Sequence, residues 1–234
     1  MAARASPIAK EGHIRLPFRD RYEAGRVLAS RLLAFEGRSD LLILALPRGG
    51  VPVAYEVARA LEAPLDVFMV RKLGAPQQPE LAMGAIATGG TLVLNSEVVQ
   101  ALGITREEIE AEVRAEEEEL ARREAVYRGA RPPPEVGERT VILIDDGLAT
   151  GSTMKVAVQA LRQQDPKQIV GAVPIAAPDV CADLGRMADE MVCAATPKPF
   201  YAVGLWYADF SPTTDDEIRD LLQRAAEWSA SPAA

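Results

Sequence analysis

The stretch from Val141 to Met154 constrains the fold more than any other part of the chain. It opens with four apolar residues, continues with Asp145 and Asp146, and then runs through a short loop of small and hydroxyl-bearing residues. Four apolar residues in a row are typical of a strand in a parallel sheet covered on both faces. Apolar residues after the loop recur at helical spacing, at Val156, Ala157, Ala160 and Leu161. A strand, loop and helix in this order place the loop at the ligand-binding edge of an open α/β sheet.

The loop has the chemistry of a phosphate site. The first N–H groups of a helix lack intrahelical partners, and the peptide dipoles leave partial positive charge there. Gly147 and Gly151 allow close backbone approach. Hydroxyl donors come from Thr150, Ser152 and Thr153. The loop has no lysine, so it is not the GxxxxGK[ST] nucleotide loop.

The two carboxylates cannot contact the same phosphate without repulsion, so they need hydroxyl donors or a metal, and a ribose diol would satisfy both. With this order of strand, acid pair and Thr-Gly-Ser-Thr loop, the chain resembles the type I phosphoribosyltransferases. The resemblance implies that Asp145 and Asp146 hold the ribose diol of phosphoribosyl pyrophosphate (PRPP). It also implies that the 5′-phosphate is cradled by Ala149, Thr150, Gly151, Ser152 and Thr153. The alternative is an Asp-Asp turn with ordinary helix capping, which the whole ordered stretch disfavours.

A second loop follows the first predicted strand, Leu41–Leu46. In the same family a turn at this place, carrying Lys or Arg before Gly, binds pyrophosphate, often with a cis peptide bond that does not precede proline. The resemblance implies that pyrophosphate is bound by Pro47, Arg48, Gly49 and Gly50. It makes Pro47–Arg48 the candidate cis peptide, a conformation that needs functional support. A plain Gly-Gly turn with a surface arginine is the alternative.

The segment 71–95 contains two Pro, four Gly and two short apolar pieces, Leu81–Ala87 and Thr91–Leu94. This composition predicts a mobile hairpin. It resembles the flexible loop that closes over the reacting atoms in the family. The resemblance makes Arg71 and Lys72 candidate catalytic cations, because negative charge grows on the leaving pyrophosphate. A position at the rim of the site is an equally weighted alternative.

The segment 197–210 is the most aromatic part of an aromatic-poor chain. It is loosely similar to the acceptor side of the purine-salvage members. That similarity implies acceptor-binding roles for Phe200, Tyr201, Trp206 and Asp209. The alternative, slightly favoured, is that the aromatic rings fill the core beneath a small lid. The spacing from Val203-Gly204 to Asp209 aligns with the family only through a gap, so the acceptor is not identified.

The chain is predicted to be an α/β protein with a doubly wound, mainly parallel sheet flanked by helices, as in the type I phosphoribosyltransferase core. Its 234 residues suit one domain, residues 1–234. We expect a core at about 38–195, the hairpin insertion 71–95, and a hood or lid from 1–37 and 196–234. Residues 105–128 predict one helix with Glu116–Glu119 on a solvated face. This helix carries nine Glu and five Arg, half of the net charge of −8.

Composition excludes several classes of protein. The net charge of −8 argues against a nucleic-acid partner, and no apolar run approaches the roughly 20 residues of a membrane span. Met1–Lys10 lacks the apolar core of a signal peptide, which favours a cytoplasmic location. Cys181 and Cys193 are too few for a disulfide framework and are expected to be inert core thiols. His13, the single histidine, has no second ligand type beside it, so no metal role is expected.

The resemblance implies an Mg²⁺-dependent glycosyltransferase that passes phosphoribose from PRPP to a nitrogenous base or other amine, within nucleotide or nucleoside metabolism. Mg²⁺ would be held mainly by PRPP and water, with Asp145 and Asp146 outside its direct ligands or assisting at the nucleophile. The expected partners are small-molecule substrates, and a homodimer is left open. The alternatives are a PRPP-binding regulatory protein without transferase activity and a sugar-phosphate hydrolase, the latter needing a wetter site than a closing lid gives.

Overall fold

The computed structural model describes residues 14–129 and 131–229, so the expectation for His13 and the outer ends of the predicted hood lie outside the described residues. The helices are α1 (Arg21–Arg31), α2 (Gly50–Leu61), α3 (Ser96–Leu102), α4 (Arg106–Arg128), α5 (Ser152–Arg162), α6 (Pro178–Leu184) and α7 (Asp215–Ser229). The strands are β1 (Leu41–Ala45), β2 (Leu65–Val67), β3 (Val70–Ala75), β4 (Gln78–Ala87), β5 (Thr91–Leu94), β6 (Thr140–Ile144), β7 (Gln168–Ile175) and β8 (Glu190–Ala195). Short 3₁₀ turns lie at Leu33–Phe35 and Val203–Trp206.

Five parallel strands form the main sheet, in the order β2-β1-β6-β7-β8. Alternate side chains point to opposite faces, so Ile43 packs with α1, α2 and α7, whereas Leu44 packs with α5 and α6. Every residue of β1, β2 and β6 is buried. The predicted α/β fold, a doubly wound parallel sheet flanked by helices, is therefore confirmed.

The region predicted as a two-stranded hairpin is a three-stranded antiparallel sheet in the order β3-β4-β5. Strand β2 ends at Val67, and the chain then enters β3, where Val70 pairs with Ala87. Glycine and proline make β3 and β4 hard to recognise from sequence, because a residue such as Gly74 is typical of a strand break. In the structure Gly74 permits a close approach, since a Cβ there would lie 2.7 Å from the Pro79 carbonyl oxygen.

Helix α4 begins with the capping box of Thr105 and Glu108. The expectation that Glu116–Glu119 form a solvated face is wrong at Glu116, whose Oε2 accepts a 2.6 Å hydrogen bond from Arg71 Nε. At the end of the helix, Arg128 Nε donates to Asp66 Oδ1 at 2.7 Å. Asp66 of β2 and Arg71 of β3 thus hold charged residues of this helix against the protein, contacts that the charge pattern of the helix did not indicate.

Two further observations complete the fold. Cys181 and Cys193 form a disulfide, so the expectation of inert thiols is wrong. Helix α6 lies beside β8, and the Cα atoms of the two cysteines are 6.6 Å apart, within the range that a disulfide spans. The spacing of the cysteines in the sequence does not show this proximity. In the described part of the chain, no helix is both long enough and apolar enough to span a membrane.

Candidate functional site

The candidate site lies where the strand order reverses at the centre of the sheet. Strands β1 and β6 are neighbours, with Ala45 opposite Ile144, so both chains leave the sheet at the same edge. From β1 the chain moves outward to β2, whereas β6 is followed by β7 on the other side. A crevice at such a switch point is where open α/β sheets bind ligands.

The loop after β1 packs directly against the acid pair after β6. The Pro47–Arg48 peptide bond is cis, as predicted. A Cβ on Gly49 would lie 2.0 Å from Asp146 Oδ2, and one on Gly50 would lie 2.7 Å from the Ile144 carbonyl oxygen. The two glycines are therefore required by the close approach of the loops.

The two carboxylates differ in their partners. Asp145 Oδ1 accepts a 2.8 Å hydrogen bond from the Asp146 backbone N–H. Burial, followed by the charge of Asp146, raises the pKa of the Asp145 carboxyl well above its ordinary value. Burial also raises the pKa of Asp146, and Arg21 opposes that rise through a hydrogen bond of 2.8 Å from Nε to Oδ2.

Arg21 and Tyr207 are site residues that the sequence analysis missed. The Arg21 side chain, 11% exposed, also donates to the Ser211 carbonyl at 2.8 Å, and its guanidinium carbon lies 4.0 Å from the Phe210 ring centroid. Tyr207 donates its hydroxyl to the Asp146 carbonyl oxygen at 2.5 Å. Arg21 belongs to no motif, and only the aromatic character of the segment pointed toward Tyr207.

The loop after β6 leads into α5 through Gly151, whose φ of 68° is left-handed. A Cβ on Gly151 would lie 2.7 Å from Val180 Cγ1, so both conformation and space favour glycine. Gly151 has no side chain to cap the helix, and Ser152 N makes a long 3.5 Å contact with Thr150 Oγ1. The start of α5 therefore has uncapped N–H groups and hydroxyls of the kind that bind anions at helix N-termini.

A cavity of about 110 Å³ lies beside these loops. It is lined by Pro47 and Arg48, by Thr153 at the start of α5, and by Arg71. The second predicted cation, Lys72, is not among its lining residues, and its Nζ lies 3.7 Å from Glu80 Oε2. Three of the predicted elements therefore converge, whereas Lys72 points elsewhere along the small sheet.

Residues of α4 also line the cavity. Tyr127 lines it and donates its hydroxyl to Asp215 Oδ1 at 2.7 Å, and the same oxygen lies 3.3 Å from Arg48 Nε. Burial raises the pKa of Tyr127, so its hydroxyl remains protonated. Asp215 of α7 thereby ties Arg48 to α4.

The candidate acceptor residues do not form one cluster. Phe200 and Trp206 stack with ring centroids 6.2 Å apart and pack against the core, whereas Tyr201 is 79% exposed. Asp209 Oδ1 accepts from Ser211, at 2.9 Å from the backbone N–H and 2.6 Å from the hydroxyl. These hydrogen bonds lower the pKa of Asp209, which stays ionised within its own turn.

Comparison with known proteins identifies relatives. The phosphoribosyl transferase domain model matches residues 20–181. Two curated Mycobacterium tuberculosis proteins (strains CDC 1551 / Oshkosh and ATCC 25618 / H37Rv), provisionally named phosphoribosyl transferases, are each 47% identical over 208 residues. These matches cover 89% of this chain and 47% of each relative, so the chain spans about half the length of the curated relatives it matches. The crystal structure of TT1426 from Thermus thermophilus is 41% identical with a TM-score of 0.78, covering 91% of this chain and 99% of that one.

Proposed function

Because the chain belongs to the phosphoribosyl transferase domain family, we propose that it transfers 5-phosphoribose from PRPP to a nitrogenous base or another amine and releases pyrophosphate. The convergence of three loops at the sheet's switch point carries this proposal. Gly49 lies against Asp146, and the cavity beside them is lined by both Arg48 and Thr153. An acid pair, a helix N-terminus and an arginine-bearing turn correspond to the diol, the 5′-phosphate and the pyrophosphate of one donor.

In the proposed reaction, the bond from ribose C1 to pyrophosphate oxygen breaks and a bond from C1 to the acceptor nitrogen forms. The acceptor loses a proton, and negative charge grows on pyrophosphate as the ribose ring becomes cationic. Asp145 and Asp146 would accept hydrogen bonds from the diol, which fixes the ring. Arg48 and Arg71 would neutralise the leaving group, so positioning and electrostatics supply the catalysis.

We propose Mg²⁺ as the cofactor. Among residues 14–129 and 131–229, no group of three or more His, Cys, Asp or Glu side chains is placed to hold a metal ion. One oxygen of Asp146 is already engaged by Arg21. The acid pair suits an ion that takes most of its oxygen ligands from phosphate groups and water, as Mg²⁺ commonly does. Bound there, Mg²⁺ would neutralise charge on the pyrophosphate.

The acceptor is assigned to the side of the site covered by segment 197–210. Tyr201 has the exposed ring that stacking on a planar acceptor requires. Phe200 and Trp206 already stack on each other and would contribute to acceptor binding as a pair. Asp209 would contribute least, because Ser211 already donates twice to one of its oxygens.

The test uses the full chain with PRPP, Mg²⁺ and a pool of nucleobases and amines, and pyrophosphate is measured with and without the pool. Release that depends on the pool supports transfer. Release without the pool indicates hydrolysis, and PRPP binding without release indicates a regulatory protein. A second test replaces both Asp145 and Asp146 by Asn, and this double variant should bind PRPP about tenfold or more weakly than the wild-type chain. Unchanged binding in that double variant contradicts the site assignment.

A further inference from the structure

Helix α4 contributes one wall of the cavity at the end of β1. Arg123 and Tyr127 both line it, and because they are four residues apart they lie on the same face of the helix. The cavity is also lined by Arg48 and, from the start of α5, by Thr153. Neither α4 residue belongs to the loop between β6 and α5, the turn after β1 or the small sheet. The helix with the largest excess of acidic residues thus presents an arginine to the pyrophosphate side of the site.

Each arginine of this cavity has a carboxylate partner. Arg48 lies 3.3 Å from Asp215. Arg71 lies 2.6 Å from Glu116. Arg123 lies 2.6 Å from Glu119. All three pairs are partly exposed to solvent, and pairs of this kind are weak enough to exchange one partner for a more highly charged anion.

Glu119 makes the exchange at Arg123 especially easy. It accepts two hydrogen bonds from Arg122, at 2.7 Å from Nε and 3.0 Å from Nη2. From Arg123 it accepts one, at 2.6 Å from Nε. If Arg123 turns to another anion, Glu119 keeps its bidentate partner and is not left unpaired. Arg123 lines the cavity, whereas Arg122 is absent from its lining.

We propose that α4 completes the pyrophosphate subsite and that Arg123 is an anion-binding residue of this subsite, exchanging Glu119 for a diphosphate oxygen. This inference rests on the proposed function and extends it to a residue outside the family's motifs. Tyr127 supports the same subsite by holding Asp215 through its hydroxyl when Arg48 turns to the ligand. The ligand class is a diphosphate group, free or attached to a sugar phosphate.

The test compares Arg123→Ala with Arg122→Ala, a control that removes the neighbouring arginine, which has the same acidic partner, Glu119. Binding of inorganic pyrophosphate and of ribose 5-phosphate to the full chain, each with Mg²⁺, is measured by isothermal titration calorimetry. R123A should weaken pyrophosphate binding about tenfold or more and change ribose 5-phosphate binding by less than about twofold, because the latter lacks the diphosphate. R122A should change both by less than about threefold, and R123K should restore part of the loss because it restores the charge.

Three results overturn the proposal: equal losses in R123A and R122A, a loss for both ligands in R123A, or no pyrophosphate binding by the wild-type chain. Thermal unfolding of each variant serves as the folding check, since the Arg123 side chain is 45% exposed and its loss should leave the melting temperature nearly unchanged. The proposed function fails separately, when pyrophosphate binds but PRPP with the acceptor pool releases none. In that case Arg123 remains a residue of a diphosphate-binding site.

Discussion

The carboxyl group of Asp145 is held in an environment that disfavours its charge. Burial and the neighbouring Asp146 raise its pKa above the unfolded value of about 3.9. The folded state then binds the proton more tightly than the unfolded chain. The contribution of this group to stability is complete below the unfolded pKa and is lost as the pH rises through the folded pKa.

Asp145→Asn should therefore stabilise the protein near neutral pH. Asn keeps an oxygen to accept the hydrogen bond from the Asp146 N–H, and it removes the unfavourable charge. We expect a higher melting temperature than wild type at pH 7 to 8 and a difference that shrinks as the pH falls toward about 4. The same variant should bind ribose 5-phosphate about tenfold or more weakly, since charge-assisted hydrogen bonds to the diol are lost. A lower melting temperature than wild type at neutral pH would contradict this account.

Gly49 offers a steric test of the contact between the two central loops. Its φ of −61° and ψ of −30° suit alanine, so the backbone itself imposes no penalty. A methyl group there meets Asp146 Oδ2 at 2.0 Å. We expect Gly49→Ala to lower the free energy of unfolding by about 1–3 kcal/mol in urea titrations and to weaken PRPP binding. Gly137→Ala is the control, because its nearest atom, the Gln164 carbonyl oxygen, is 3.8 Å away, and equal effects in both variants would argue against the contact.

Individual site residues were predictable from sequence only where they lie in a local motif. Asp145 follows its strand directly, so its own residues indicated it, whereas Arg48 before two glycines was indicated by the resemblance to the family's turn. Arg21 reaches Asp146 across 125 residues, and Tyr207 reaches it across 61. Contacts of that range depend on the packing of the completed fold. A single sequence does not contain that information in readable form.

At the scale of elements, α4 is anchored by a buried ion pair. The Arg128 side chain is 2% exposed, and it bonds Asp66 Oδ1 at 2.7 Å and lies 3.0 Å from Glu124 Oε1. Arg128→Met should lower the free energy of unfolding by about 3–5 kcal/mol in denaturant titrations, because it leaves a buried carboxylate unpaired. Arg106→Met removes an 87% exposed partner of Glu110 on the same helix and should cost less than about 1 kcal/mol. Similar losses in the two variants would mean that Arg128 does not anchor α4.

The disulfide between α6 and β8 closes a short loop, with 12 residues of sequence separation. Loop-closure entropy for a loop of this size corresponds to about 3 kcal/mol. Adding dithiothreitol should lower the melting temperature of wild type and leave the double variant with Cys181→Ser and Cys193→Ser unaffected. A wild-type melting temperature that does not respond to the reductant, with the thiols shown by labelling to be free, would count against this stabilisation.

A helix or strand could be predicted from the sequence when the pattern that identifies it lies within its own residues. Strands β1 and β6 are recognisable as apolar runs because both of their faces are covered. Strand β3 carries Arg71 and Lys72, and its partners are supplied by β4 and α4, so it has no such run. The small sheet was therefore expected as two strands instead of three.

At the scale of the whole molecule, the candidate site joins the two sides of the sheet. Arg21 of α1 and Asp215 of α7 reach it from helices that pack on one face. The loop after β6 leads into α5, which packs on the other face. A donor that contacts these elements together would bind only when both cores are folded. Binding of the donor should then be coupled to global unfolding.

This coupling predicts a stabilisation of known size. PRPP with Mg²⁺ at 100 times its dissociation constant should raise the free energy of unfolding by about 2.7 kcal/mol, or the melting temperature by roughly 5–10 °C for a chain of this length. The variant with both Asp145→Asn and Asp146→Asn should show little shift at the same concentration, whereas Gly137→Ala should shift as wild type does. Differential scanning calorimetry gives both values. A saturating donor that leaves the wild-type transition unmoved would mean that PRPP does not bind across the switch point.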